Sequence, residues 1–153
     1  MNDKTLIRAA IEVAQQARAH GNHPFGAVLV DADGNILLTV ENTVVSEHDV
    51  TCHAETNLMR QATRHYSPEF LQTCTLYAST EPCPMCAGAI FWGNVRRVVY
   101  GLSEAGLYAM TGDSEDKLLL SCREVFAHGS KDIEVVGPLL EEEAAQVHEG
   151  FWE

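Results

Sequence analysis

The chain is poor in positive charge. Ten Lys and Arg stand against 22 Asp and Glu, a net charge of −12 with histidines neutral. Affinity for nucleic acid comes largely from basic contacts to phosphates, and a field of this sign repels a polyanion. The composition therefore disfavours nucleic acid and favours a small, uncharged partner molecule. No apolar run approaches the roughly 20 residues that a membrane-crossing helix needs. Met1-Asn2-Asp3-Lys4 leads straight into an amphipathic segment, unlike a signal peptide, so a cytoplasmic location is expected. There is no repeat, no low-complexity tract and no linker rich in Gly, Pro or Ser, which suggests one domain over residues 1–153. An even cysteine count is also missing. Five cysteines without an export signal argue against a disulfide framework and leave free thiols available to a metal.

Hydrophobic spacing supplies the elements. Leu6, Ile7, Ala10, Ile11, Ala14 and Ala17 recur at helical intervals over residues 4–19, and Gly21-Asn22 ends that helix. Residues 27–30 and 36–40 are strands joined by the turn residues 31–35, a β-hairpin. Residues 43–52 read as loop, and a helix is expected from about His53 to His65. Residues 74–79 form a buried strand. Pro82 and Pro84 mark the opening of a helix that runs through Trp92, since proline is tolerated in a first turn. Residues 97–100 are a strand closed by Gly101. A helix is expected over 115–127 with Leu118, Leu119, Cys122 and Val125 inward, then a strand at 133–136. An acidic helix over 141–153 ends in Phe151-Trp152. Alternating strands and helices imply an α/β fold, a three-layer α/β/α sandwich around a mixed five-stranded sheet.

The most informative residues are His53-Ala54-Glu55 and Pro82-Cys83-Pro84-Met85-Cys86. Cys83 and Cys86 share one helix face, and a helix N-terminus favours their ionised form. If both helices open at one edge of the sheet, His53 joins them. Three such ligands leave a tetrahedral zinc open to water, and Glu55 is placed to move that water's protons. Three blander readings compete: a redox Cys-x-x-Cys pair, a closed structural zinc that adds Cys52, and an accident of composition. The redox reading ignores His53 and Glu55. Consecutive residues at a helix start diverge, so Cys52 and His53 would not easily share an ion. H-x-E joined to P-C-x-x-C, after a strand and opening a helix, is the pattern of zinc deaminases acting on nucleobases.

The stretches Cys52 to Glu55 and Glu81 to Ile90 resemble the cytidine and deoxycytidylate deaminase superfamily. The likeness begins at Pro24-Phe25-Gly26-Ala27, continues through Asn42 and thins beyond Gly101. It is greatest to the branch that holds guanine deaminases, fungal-type cytosine deaminases and tRNA adenosine deaminases. The resemblance implies zinc on His53, Cys83 and Cys86, with Glu55 as the proton carrier in hydrolytic deamination. It also implies that Asn42 touches the base, that the Ala54 backbone N–H meets a substrate carbonyl, and that Glu104 occupies an acidic position near the substrate. Glu81 is a weaker candidate that orients a helix start. Phe25, beside His23, is a candidate for the pocket lining, as is His48, next to Asp49, for a substrate contact. Trp152 suits a base-stacking lid, since relatives close their pockets with C-terminal aromatics, but packing within the chain competes with that role. A homodimer is expected by the same analogy, through an apolar Ile90-Phe91-Trp92 face.

Within the enzyme class, guanine deamination ranks first. Residues 81–92 are similar to the guanine deaminase pattern, the charge disfavours RNA, and an aromatic tail suits a sealed small pocket. The tRNA adenosine deaminases typically carry a basic last helix, whereas Glu141-Glu142-Glu143 opens this tail and no Lys or Arg follows. Cytosine, a nucleoside or another aminated ring remains open. An inactive, zinc-stabilised binding module is the reading from another class, and the intact Glu55 argues against it.

Overall fold

The elements alternate much as the periodicity predicts. The computed structural model describes residues 2–153. In chain order these are α1 Asp3–Ala19, β1 Gly26–Val30, β2 Ile36–Glu41, α2 Val44–Glu47, α3 Ala54–His65, α4 Pro68–Leu71, β3 Thr75–Thr80, α5 Pro84–Gly93, β4 Arg97–Leu102, α6 Glu104–Met110, α7 Cys122–Ala127, β5 Glu134–Val136 and α8 Glu141–Gln146. The sheet has five strands in the order β2-β1-β3-β4-β5. Strand β1 is antiparallel to β2 and β3, whereas β3, β4 and β5 run parallel.

Side-chain alternation along the central strands sorts the core into two layers. Ala27, Leu29, Leu76, Ala78, Val98 and Tyr100 face one way, onto Leu58, Met59 and Ala62 of α3, Ala87 and Ile90 of α5, and Phe126 of α7. Val28, Val30, Tyr77 and Val99 face the other way, onto Leu6, Ile7, Ala10 and Ala14 of α1, Leu107 of α6 and Ala144 of α8. Strands β1 and β3 are buried along their whole length, as strands covered on both faces should be. The expected three-layer α/β/α sandwich with a mixed five-stranded sheet is the observed fold. Each aliphatic side chain fully buried in these layers contributes about 1.5–3 kcal/mol. Strand β4 runs past Gly101 rather than closing there. A Cβ at Gly101 would lie 2.7 Å from Ser79 O and 2.9 Å from Ala144 Cβ, so only glycine lets α8 and β3 approach β4 this closely.

The last third departs from expectation. The helix expected over 115–127 is confined to α7. Ser121 caps it, with Oγ accepting the Glu124 N–H at 3.2 Å, so the helix cannot start earlier. Leu118 and Leu119, expected inward, are 60% and 70% exposed, while Cys122 is buried. Helix α6, which the periodicity does not announce, lies before that stretch, and residues 111–121 between α6 and α7 are irregular. The tail helix stops at Gln146, and residues 147–151 turn back on themselves, with the Phe151 N–H bonded to His148 O at 3.0 Å and Gly150 at a φ of +71°. The 43–52 loop contains α2, closed by His48 in the left-handed conformation at a φ of +52°.

Candidate metal centre and active site

The topology gathers the chemistry at one edge of the sheet. Strands β3 and β4 are parallel, with Thr80 beside Leu102, so Glu81 and Glu104 emerge together at their carboxyl ends. Strand β1 runs the other way, which brings Phe25 at its start to the same edge. Binding crevices in α/β sheets form outside the carboxyl ends of parallel strands. Here a cavity of about 520 Å³ opens there. Its walls include His23, Phe25, His53, Glu55, Thr80, Glu81, Cys83, Glu104, Tyr108, Asp116 and Trp152.

Helices α3 and α5 open side by side onto this cavity. His53 is the N-cap residue of α3 and Cys83 that of α5, with Pro84 in the first turn of α5. One donor atom each from His53, Cys83 and Cys86 lies within 4.8 Å of the others. His53 Nδ1 is 3.6 Å from both sulfurs. A tetrahedral ion bonded at about 2.3 Å to sulfur and 2.0–2.1 Å to nitrogen requires S···N separations of about 3.6 Å. Geometry and donor chemistry therefore both fit zinc. Cys52 is outside this cluster among the described residues, which removes the four-ligand closed site. The Cys83 thiol is drawn well below the usual thiol range, chiefly by the Cys86 thiol donating to it, with His53 and the Cys86 backbone N–H adding. Cys86 Sγ also lies 3.2 Å from Thr56 Oγ1, a contact to the metal-site sulfur that the spacing of the motif does not reveal.

Glu55 lies in the first turn of α3, 6% exposed. Burial pushes its carboxyl up to about 7, against the pull of His53, a value suited to taking and returning a proton near neutrality. Two further carboxylates stand across the cavity and behave differently. Glu81 Oε1 accepts the Glu104 N–H at 3.0 Å and Oε2 accepts the Cys122 N–H at 3.2 Å. Those are first-turn amides of α6 and α7, so Glu81 orients two helix starts, neither of them that of α5. Glu104 lines the cavity, and its Oε1 is buried with no hydrogen-bond partner among the described residues. Burial, then the nearby Glu81 and Cys83 charges, pushes Glu104 up to about 7.

Phe25 and Trp152 form an aromatic wall, ring centroids 6.1 Å apart. Three other candidates lie outside the lining. Asn42 is buried at the end of β2, where its Oδ1 accepts the Val44 N–H at 3.0 Å. Ala54 is fully buried at the first position of α3. His48 is an exposed helix terminus, pointing to no role at the cavity. Thr56, Thr80, Tyr108, Asp116 and His148 are among the side chains that the sequence reading misses.

Residues 1–102 match the model of the cytidine and deoxycytidylate deaminase zinc-binding region. The chain belongs to this deaminase family. Within it, the chain is 44% identical over 153 residues to a probable cytosine deaminase of Schizosaccharomyces pombe, covering 99% of this chain and 93% of that protein. It is 41% identical over 101 residues to a guanine deaminase of Bacillus subtilis, covering 65% of this chain and 64% of the relative. A solved structure from studies of A-to-I editing by tRNA:A34 deaminases superposes with a TM-score of 0.70 at 29% identity, over 94% of this chain and 99% of the other. The cofactor of this deaminase family is zinc, and the cluster of His53, Cys83 and Cys86 can hold it. No helix among the described residues is long and apolar enough to cross a membrane.

Proposed function

We propose that this deaminase acts hydrolytically on a free, uncharged nucleobase, with cytosine, giving uracil and ammonia, as the first substrate. The observation that carries this reading is the cavity lining. It sets Glu55, Glu81, Glu104 and Asp116 among aromatic side chains and includes no Lys or Arg. A phosphate would meet carboxylates there with nothing to neutralise it. Likeness to a probable cytosine deaminase over nearly the whole chain supports cytosine ahead of guanine, which the sequence alone ranks first. Guanine remains the second reading, favoured by the 41% likeness over 101 residues.

His53, Cys83 and Cys86 hold the metal in this reading. When bound, zinc supplies the acidification of water and a Lewis-acidic pole beside the carbon under attack. Glu55 takes a proton from the attacking water and passes it to the ring nitrogen next to that carbon. It then takes the second proton from the hydroxyl now on that carbon and gives it to the amine, which leaves as ammonia while the carbonyl forms. One carboxyl serves all these transfers because its proton is borrowed and returned. Ala54 N–H, at the first helical position, has no acceptor within α3 and is available to a substrate carbonyl. The ring packs against the wall that Phe25 and Trp152 form together, and the free Oε1 of Glu104 meets its polar edge. Asn42 keeps its Nδ2 donors for the base while Oδ1 holds Val44.

A homodimer is retained in this reading on a smaller face than expected. Ile90 is fully buried in the core, whereas Trp92 is 80% exposed on α5. A monomer mass of 16.8 kDa in solution at micromolar concentration would remove the dimer. The function itself is tested by ammonia release from zinc-loaded protein with cytosine, guanine, adenine, cytidine, cytidine monophosphate and transfer RNA. Turnover of a free base ahead of all phosphorylated substrates is expected. Preference for the nucleotide or the RNA would overturn the reading.

A further inference from the structure

The turn that follows α8 carries a buried histidine with no part in the proton transfers above. His148 is 2% exposed. Its Nδ1 lies 3.1 Å from Trp152 Nε1, and its Nε2 lies 3.4 Å from Oγ1 of Thr80, a cavity-lining residue. The imidazole and indole are close to parallel, 15° apart with centroids at 6.1 Å, and Phe25 meets the imidazole edge-on at 5.2 Å. An indole nitrogen is a donor only. Nδ1 must therefore accept, the ring proton sits on Nε2, and that N–H donates to Thr80 Oγ1. Both nitrogens are thereby committed, one to the sheet end and one to the aromatic wall.

We propose that His148 is the positioning residue for Trp152, tying the indole to the end of β3 so that it stands as a preformed wall of the base cavity. This rests on the reading that a base occupies that cavity. Two observations favour a positioning role over simple packing. Trp152 is only half-buried and lies in a segment outside any helix or strand. An untethered indole there would have to be immobilised each time a base binds. The backbone upstream is also tied down, since Arg18 Nη1 donates to Val147 O at 2.8 Å and Glu149 O at 2.7 Å. The main chain of the turn is thus held from α1 and the indole from β3. A leucine at 148 would fill similar volume with no polar group to satisfy, so packing alone does not call for an imidazole.

The test uses a Trp92→Phe background, which leaves Trp152 as the remaining tryptophan of the two in the chain. Three variants are compared on the zinc-loaded protein. His148→Leu removes the acceptor, His148→Asn puts an amide oxygen near the Nδ1 position, and Trp152→Ala removes the wall. His148→Leu should raise KM about three- to tenfold, the cost of ordering one large side chain on binding, with kcat within about twofold. Trp152 emission should shift and its anisotropy fall. His148→Asn should restore KM and emission to near the parental values. Equal losses in Leu and Asn variants, or unchanged Trp152 emission in the Leu variant, would overturn the proposal. So would an unchanged KM in Trp152→Ala. If His148→Leu does not fold, His148→Gln, which reaches Thr80 but not the indole, replaces it with the same expectations. If no base is turned over at all, the substrate reading fails, yet the emission contrast between Leu and Asn still decides whether His148 orients the indole.

Discussion

The two sides of the cavity are built on different physical principles. The metal-binding side stands on the starts of α3 and α5, helices of 12 and 10 residues. They are fixed by fully buried Ala54, Leu58, Ala87 and Ile90. The position of each donor there depends on close packing that few substitutions would leave undisturbed. The opposite side consists of the seven-residue α6, the irregular 112–121 segment and the C-terminal turn. Individual hydrogen bonds hold it: Glu81 to the starts of α6 and α7, the Leu118 N–H to Tyr108 Oη at 3.0 Å, Arg18 to the turn, and Trp152 to His148. The family match ends at residue 102, where the packed side gives way to the tethered one. In the proposed reading, the floor that holds the metal and the proton carrier is locked by the core, and the wall that would select among rings is held by a few exchangeable bonds.

Substitutions on each side should separate these two behaviours. The largest effect is expected on the floor. Glu55→Gln should lower kcat about 10²- to 10⁴-fold while elemental analysis still finds one zinc per chain; activity above a tenth of the parent would place the proton carrier elsewhere. Next comes acid stability, through His148 in the wall. Burial, with Arg18 adding, pulls its pKa down to about 4, against about 6.5 unfolded. Between those values the unfolded chain binds a proton that the folded chain refuses. The stabilisation is therefore complete above pH 6.5 and is lost as pH falls towards 4, by roughly 3 kcal/mol at most. Comparing urea melts of parent and His148→Asn across that range should show the parent losing its relative advantage in acid, and parallel curves would refute the assignment.

Glu81→Gln should cost about 1–3 kcal/mol, as the charge-assisted bonds to two buried amides weaken. Hydrogen exchange should speed up at residues 104–110 and 122–127 and stay slow at 54–65; uniform acceleration would show that the two sides are not separable. Arg18→Met should be the mildest change, at most about 1 kcal/mol in stability and a small rise in KM. An effect as large as that of Glu81→Gln would mean the tail is part of the core after all.

How much was legible follows the same division. Helix α1, the β1–β2 hairpin and the two motif-bearing helices announce themselves because long periodic runs and fixed spacings reflect packing on one sheet. The wall does not, because its elements are short. Leu118-Leu119-Leu120 reads as a helix interior, yet Ser121 starts α7 after it. The Ser121-x-x-Glu124 pair was the available signal, since serine followed three residues on by glutamate marks a helix start. Helix α6 was hidden by Gly106, although Ser103 caps it, accepting the Gly106 N–H at 3.0 Å. The position of Glu81 could not be read from sequence at all, because it depends on the register that sets Thr80 beside Leu102. Likewise, nothing local links His148 to Thr80, 68 positions away.

Glu81 has one more consequence. Only Pro82 separates it from Cys83, so the carboxylate that clamps both wall helices shares a short, stiff span of backbone with a donor to the ion. In the proposed reading, a ring that displaced either helix would strain the backbone two positions before a zinc donor.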